Sequence, residues 1–268
     1  MKSDRTKVVK DNLSAFWSKC FSTNSTFEVI NKQKIFHTVS DIDDPLMNAV
    51  TSSNYNDNEI ANAVEEITSL YNNKKLSFCW WVDTEQDHPQ LSKTLQQNKF
   101  TLFGDVSGMY MKLESVPESQ ASTSREKESK SEVEIQQVTT EDELKDWIKP
   151  IQTSFGMSDL STQKYLEIFQ KLSQTQNPPI HFIAKHQGKI VGSSTLFCDK
   201  VAGIYNCATL PEYRGKGILS ALTTTMLAKA KELGFTEATL QASPMSVRVF
   251  RKHGFEDVVP YQVYLKPR

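Results

Sequence analysis

Residues 115–132, SVPESQASTSREKESKSE, hold a single branched apolar side chain, Val116, among serines, glutamates, lysines and small residues. A segment of that composition has no face to bury, so the entropy lost on ordering it would go uncompensated, and a solvated linker is expected. It divides the 268 residues into a first domain at 1–114 and a second at 133–268, each long enough to bury its own core. Lysine and arginine, 31 together, balance 32 aspartates and glutamates to a net charge of -1, so no overall attraction to nucleic acid or an anionic membrane is expected. No apolar run approaches the roughly 18 residues of a membrane span, and MKSDRTKVVKDN lacks the apolar segment of a signal peptide, which predicts a cytoplasmic protein without membrane contact. The four cysteines are far apart and form no CxxC, so small buried hydrophobes are expected, with no metal site and no disulfide.

In the second domain VEIQQV (133–138) alternates as a strand does, and Thr140 with Glu143 forms a capping box for a helix that Pro150 should disturb. A second helix carries Tyr165, Ile168, Phe169 and Leu172 on one face. IHFIAK (180–185) and IVGSSTLFC (190–198) make a hairpin around HQGK, and AGIYNCATL (202–210) reads as the next strand. From Ile218 an apolar stripe runs through Leu222, Met226, Ala230 and Leu233 to a cap at Gly234. A strand at 237–242, a short helix through Val249 and Phe250, and a last strand pair in VVPYQVYLK complete an α+β order.

Between strand and helix lies LPEYRGKGILSAL (210–222). A glycine turn feeding a helix presents unpaired amides at the positive end of the helix dipole, which suits an anion. Gly215 and Gly217 allow close backbone approach, while Arg214 and Lys216 add cations whose hydrogen bonds to phosphate contribute about 1.5–3 kcal/mol each. Neither GxxxxGK followed by Ser or Thr nor GxGxxG is present, so nucleoside triphosphate hydrolysis is poorly supported.

The succession NCATLPEYRGKGILSAL, helix, strand and SVRVFRKHGF resembles the GNAT superfamily of acyl-CoA-dependent N-acyltransferases over essentially all of 133–268. That family's loop reads Arg or Gln, two residues, Gly, one residue, then Gly or Ala. Arg214 and Gly217 fit, and Leu219 departs, turning into the core or narrowing the site. The resemblance implies acetyl-CoA as co-substrate, with amides of Gly215, Lys216, Gly217, Ile218, Leu219 and Ser220 on the diphosphate and Arg214 beside it. It further implies that Cys207, Ala208 and Thr209 pair with the pantetheine arm, that one of their amides polarises the thioester, and that Ser243 and Phe250 complete the coenzyme contacts.

NAVTSSNYNDNEIANAV (48–64) aligns without a gap on 206–222: Asn48 meets Asn206, Thr51 Thr209, Tyr55 Tyr213, Ile60 Ile218 and Ala63 Ala221. LSFCWWV (76–82) and the helix leading to Asn98, Lys99 and Phe100 echo 237–242 and the helix leading to His253, Gly254 and Phe255. Two GNAT-like domains are therefore expected, each a mixed, mainly antiparallel sheet flanked by helices, with the first a degenerate copy. Asn56, Asp57, Asn58 and Glu59 face Arg214, Gly215, Lys216 and Gly217, so the first copy should repel a diphosphate. Trp80 and Trp81 are expected in its core, with a cleft-lining role as the alternative.

Family members often carry a proton-handling tyrosine where Phe250 stands and a glutamate where Gly203 stands. Three readings follow: a thiolate leaving without a dedicated acid, Tyr205 as a substitute on the strand face shared by alternation with Gly203 and Cys207, or a non-catalytic acyl-CoA sensor. His181 and Cys198 are expected in the core, and His253 in a structural role at a helix end. The expected activity is an acetyltransferase moving acetyl from acetyl-CoA to a primary amine of a small molecule or peptide by direct attack; a homodimer is compatible with the resemblance.

Overall fold

The computed structural model describes residues 2–32, 34–53, 55–87, 89–113 and 132–268; residues 115–131 of the expected linker lie outside them. Contacts divide the chain into two compact units, Met1–Gly108 with Asp257–Arg268, and Met109–Glu256.

The first unit runs α1 (Lys2–Phe21), β1 (Glu28–Lys32), β2 (Ile35–Val39), β3 (Ala49–Ser53), α2 (Asp57–Asn73), β4 (Phe78–Asp83), α3 (Pro89–Gln97) and the start of β5 (Thr101–Lys112). The C-terminal strand, β11 (Glu256–Lys266), returns to it and pairs antiparallel with β4, from Tyr261↔Asp83 to Lys266↔Phe78. β1–β2 and β2–β3 are antiparallel, whereas β3 and β4, joined through α2, are parallel. The core gathers Val50, Ile60, Val64, Tyr71, Phe78 and fully buried Trp80.

The second unit begins with residues 109–112 of β5 and continues through β6 (Val133–Gln137), α4 (Glu141–Phe155), α5 (Asp159–Leu172), β7 (Ile180–His186), β8 (Lys189–Cys198) and β9 (Ala202–Thr209). A 3-10 turn (Pro211–Tyr213), α6 (Ile218–Glu232), β10 (Glu237–Ala242) and α7 (Val247–Lys252) follow. Strand order is β5-β10-β9-β8-β7-β6, with β6 to β9 antiparallel neighbours and β9–β10 parallel. One face packs Leu196, Ile204 and Leu240 against Ile218, Leu222 and Met226 of α6. On the other, Trp147 of α4 and Phe169 of α5 close on His181, ring centroids 4.4 and 5.0 Å away.

The division by contacts falls away from the linker. Met109, Met111 and Leu113 sit in the second unit's core, and the Leu113 amide donates to Thr236 O at 2.8 Å. Residues 257–268, grouped by sequence with the second domain, pack with the first. A strand's partner is chosen across the sheet, and local composition does not report it.

Local signals explain most boundaries. Thr140 and Glu143 cap α4 reciprocally, Glu143 N to Thr140 Oγ1 at 3.2 Å and Thr140 N to Glu143 Oε2 at 3.0 Å. Pro150 does not break this helix; it removes one amide donor and the helix runs on to Phe155, its stability supplied by the buried face of Leu144, Trp147 and Ile151. The last strand pair expected in VVPYQVYLK is one long strand, β11. The sequence echo has a backbone counterpart: Lys99 (φ 65°) and Gly254 (φ 99°) both turn left-handed. At both places the next phenylalanine amide reaches back five residues, Phe100 to Leu95 O at 3.0 Å and Phe255 to Phe250 O at 3.2 Å.

All four cysteines are free. Among the described residues no helix is long and apolar enough to cross a membrane, and no group of three His, Cys, Asp or Glu side chains could hold a metal.

At Gly192 of β8 the start of α6 packs directly onto the sheet. A Cβ there would lie 2.7 Å from Ile218 Cγ2 and 2.9 Å from Ala208 O. Gly192→Ala should therefore destabilise the second unit by about 1–3 kcal/mol, read as an earlier urea transition of that unit; an unchanged transition would show that α6 yields freely.

Candidate functional site

The site starts where two parallel strands part. β9 and β10 pair at Ala202↔Ala238, Gly203↔Thr239 and Ile204↔Leu240, and the pairing stops although β9 continues to Thr209 and β10 to Ala242. On its other side β9 bulges against β8: Thr195 faces Tyr205 and Ser193 faces Ala208, so three steps on β9 meet two on β8. Asn206 takes the strain with φ 54°. Its side chain is held at both ends, Oδ1 accepting from Tyr165 OH at 2.8 Å and Nδ2 donating to Thr195 Oγ1 at 3.2 Å. Thr195 Oγ1 in turn lies 3.0 Å from His181 Nδ1.

This bulge corrects the expectation that alternation puts Tyr205 and Cys207 on one face. Cys207 packs with the α6-side cluster, whereas Tyr205 is buried with its ring edge-on to Phe197, centroids 6.2 Å apart. An extra residue reverses the side-chain direction beyond it, and Tyr205 is not among the cleft-lining residues.

Beyond β9 the chain enters its glycine turn. Gly215 (φ 77°) and Gly217 (φ 80°) are left-handed, a conformation that disfavours any residue with a Cβ, and Gly217 forms the N-cap of α6. The first amide to find a backbone acceptor is that of Ala221, bonded to Gly217 O at 2.9 Å; among the described residues no backbone carbonyl accepts from 215–220. All of 215–220 except Lys216 line a cleft of about 530 Å³ at the parted strand ends. Of the residues expected there, Cys207, Ala208, Thr209, Arg214, Gly215, Gly217, Ile218, Leu219, Ser220 and Ser243 line it. Lys216 instead stands over the Tyr213 ring at 4.7 Å, and Phe250 is buried in the core edge-on to Phe255. Leu219 both packs against the core and forms part of the wall.

Sequence reasoning missed Lys252, which adds a cation from the end of α7, and Ser154, Phe155, Tyr213, Met245, Ser246 and Val249. Ser154 Oγ donates to Thr209 O at 3.1 Å, fixing the end of α4 to β9. RKHGF contains Lys252, but nothing local marks its direction. The α4 residues lie over 50 positions upstream, and only the fold brings them near.

The first unit treats the matching place differently. In the gapless alignment Ile60 corresponds to Ile218, yet α2 begins at Asp57, three residues earlier than α6 in that register. Where the second unit has its glycine turn, the first has almost one more turn of helix. Glu59 reaches back to Asn56 N at 3.1 Å and forms an ion pair with Lys34. The helix end that could receive an anion already holds a carboxylate.

Burial dominates the electrostatics around the cleft. It pushes the Cys207 thiol up to about 12, so the cleft cysteine is not a thiolate in neutral solution. It lowers the His253 imidazole, whose Nε2 lies 2.9 Å from Ser220 Oγ. His253 is thus a neutral ring in neutral solution, bound to the first turn of α6.

The sequence profile of the acetyltransferase (GNAT) family matches residues 141–255. Residues 141–255 are a GNAT domain. A GCN5-related N-acetyltransferase from Kribbella flavida superposes with a TM-score of 0.66 at 14% identity, over 95% of this chain and 95% of that one. Another from Sphaerobacter thermophilus gives 0.62 at 13%, over 87% and 80%. A tandem GNAT protein from the clavulanic acid biosynthesis pathway gives 0.54 at 10%, over 95% and 87%. No curated protein matches the sequence. At these identities the likeness is one of fold, and its coverage takes in the N-terminal part, which is GNAT-like in structure.

The His181 network of the GNAT domain predicts an acid sensitivity. Burial pushes the His181 pKa from 6.5 down to about 3, so between those values the unfolded chain binds the proton and the folded one does not. Stability should be full above pH 6.5 and fall progressively toward pH 3. His181→Gln, measured by thermal midpoints from pH 7 to 4, should flatten that limb; an unchanged slope would assign the acid loss elsewhere.

Proposed function

We propose that the GNAT domain binds acetyl-CoA and transfers its acetyl group to a primary amine of a small molecule or peptide by direct attack. The observation that carries this reading is the cleft itself, formed by the freed edge of β9 and the amides of 215–220 at the open end of α6. In this reading the amides hold the coenzyme diphosphate, with Arg214 and Lys252 supplying charge. The backbone of Cys207, Ala208 and Thr209 pairs with the pantetheine arm, and an amide beyond the Asn206 bulge polarises the thioester carbonyl. The neutral amine attacks that carbon, the carbon–sulfur bond breaks, the thiolate departs with the electron pair, and water takes the ammonium proton. No dedicated acid is assigned, because Phe250 and Gly203 cannot ionise and Tyr205 is buried away from the cleft; a thiol with a pKa near 8.5 leaves without one. The first unit, with α2 capped by Glu59, is assigned no coenzyme, and the setting proposed is cytoplasmic.

Those same non-ionising residues favour a second reading, a non-catalytic acyl-CoA sensor or interaction protein. A coenzyme-release assay across a panel of amines separates the two: acetyl-CoA binding with release on at least one amine supports the enzyme, and binding with none supports the sensor. Arg214→Glu or Gly217→Asp should weaken acetyl-CoA binding by roughly tenfold or more in calorimetry, while Asn56→Asp and Glu59→Gln leave it unchanged; equal losses would contradict the division of labour. Tyr205→Phe should keep turnover within about twofold, since a lost general acid would remove about 10²-fold or more.

A further inference from the structure

The hydroxyl of Ser220 sits in the first turn of α6, on the cleft wall, three residues past the N-cap Gly217. Hydroxyls inside helices commonly fold back onto a carbonyl four residues earlier, as Thr223 Oγ1 does with Leu219 O at 2.7 Å. Ser220 instead meets Nε2 of His253, the residue that follows α7, at 2.9 Å. A hydroxyl has one proton and two lone pairs, so its direction depends on what its partner does. If the imidazole accepts, the Ser220 proton is spent on the ring and only oxygen lone pairs face the cleft, where they would repel a phosphate. If Nε2–H donates, the Ser220 proton is free to point at an anion, and the cleft gains a donor beside the amides of 215–220.

We infer that His253 is a positioning residue of the diphosphate subsite: its Nε2–H donates to Ser220 Oγ and turns the serine hydroxyl toward a phosphate oxygen of the coenzyme. The inference rests on the acetyl-CoA reading of the cleft. Two observations outside that reading agree with it. The ring is half-buried and its pKa is lowered, so a neutral imidazole, able to donate from one nitrogen while the other stays bare, is the form present in neutral solution. Its place is also fixed by backbone, because His253 N donates to Phe250 O at 3.0 Å and Gly254 turns left-handed directly after it. The main chain at His253 is thus anchored beside α6, and His253 is not among the residues that line the cleft.

A double-mutant cycle on the full chain tests this, with acetyl-CoA affinity measured by calorimetry for the unaltered protein, Ser220→Ala, His253→Leu and both together. Each single change should weaken binding roughly three- to tenfold, and the double variant should be no weaker than the weaker single one, because His253 acts only through Ser220. His253→Gln, which keeps an N–H at the end of a flat side chain, should recover most of the loss. Additive losses, or affinity unchanged in both single variants, would overturn the positioning role while leaving the cleft's coenzyme reading intact. No binding by the unaltered protein would overturn that reading and this inference with it. A second readout does not depend on how the variants fold: imidazole ¹⁵N shifts of His253 in the unaltered, acetyl-CoA-saturated protein should report a protonated Nε2, and a protonated Nδ1 with bare Nε2 would contradict the relay.

Discussion

Everything about the cleft depends on β9 leaving β10 after Ile204. Two parallel strands that stayed paired would satisfy each other's amides and carbonyls and leave no edge for a ligand. Parting frees the edge of β9, and an exposed strand edge pairs readily with an extended partner. The bulge at Asn206 bends the strand at this point, and the bonds from Tyr165 and Thr195 hold a left-handed asparagine that would otherwise be strained. α4 and α5 therefore support a backbone feature whose use lies in the cleft, through Ser154 on Thr209 and Tyr165 on Asn206.

The two units show what a helix N-terminus becomes under opposite local chemistry. In α6 two left-handed glycines delay the helix and leave the amides of 215–220 without a backbone acceptor, five of these six residues lining the cleft. In α2 the helix starts earlier and a carboxylate of its own folds back over the end, itself neutralised by Lys34. The parallel strand–helix–strand arrangement survives in both, because it rests on apolar residues such as Ile60 and Ile218 that both copies keep. The first unit thus shares the packing of the second and differs from it at the start of the helix.

Features written in consecutive residues were legible: the Thr140–Glu143 cap, the glycine turn, the stop at Gly234, and the shared turn at 98–100 and 253–255. Each is set by short-range sterics or hydrogen bonding. Features made by distant chain segments were not. Asparagine tolerates a positive φ only somewhat better than other residues, so nothing in GIYNCAT announced a bulge that reverses the side chains after Tyr205. The return of β11 to β4, and the delivery of Lys252, Ser154 and Phe155 to one cleft, are likewise decided by tertiary pairing. The same limit applied to His253, whose meaning came from a serine 33 positions earlier.

The central claim is that one of two similar helix ends holds the coenzyme, and hydrogen exchange of the full chain with and without acetyl-CoA tests it most directly. Slowed exchange should appear at 207–209 and 215–220 and be absent at 56–60. Slowing at 56–60, or none at 215–220 under saturating acetyl-CoA, would contradict it.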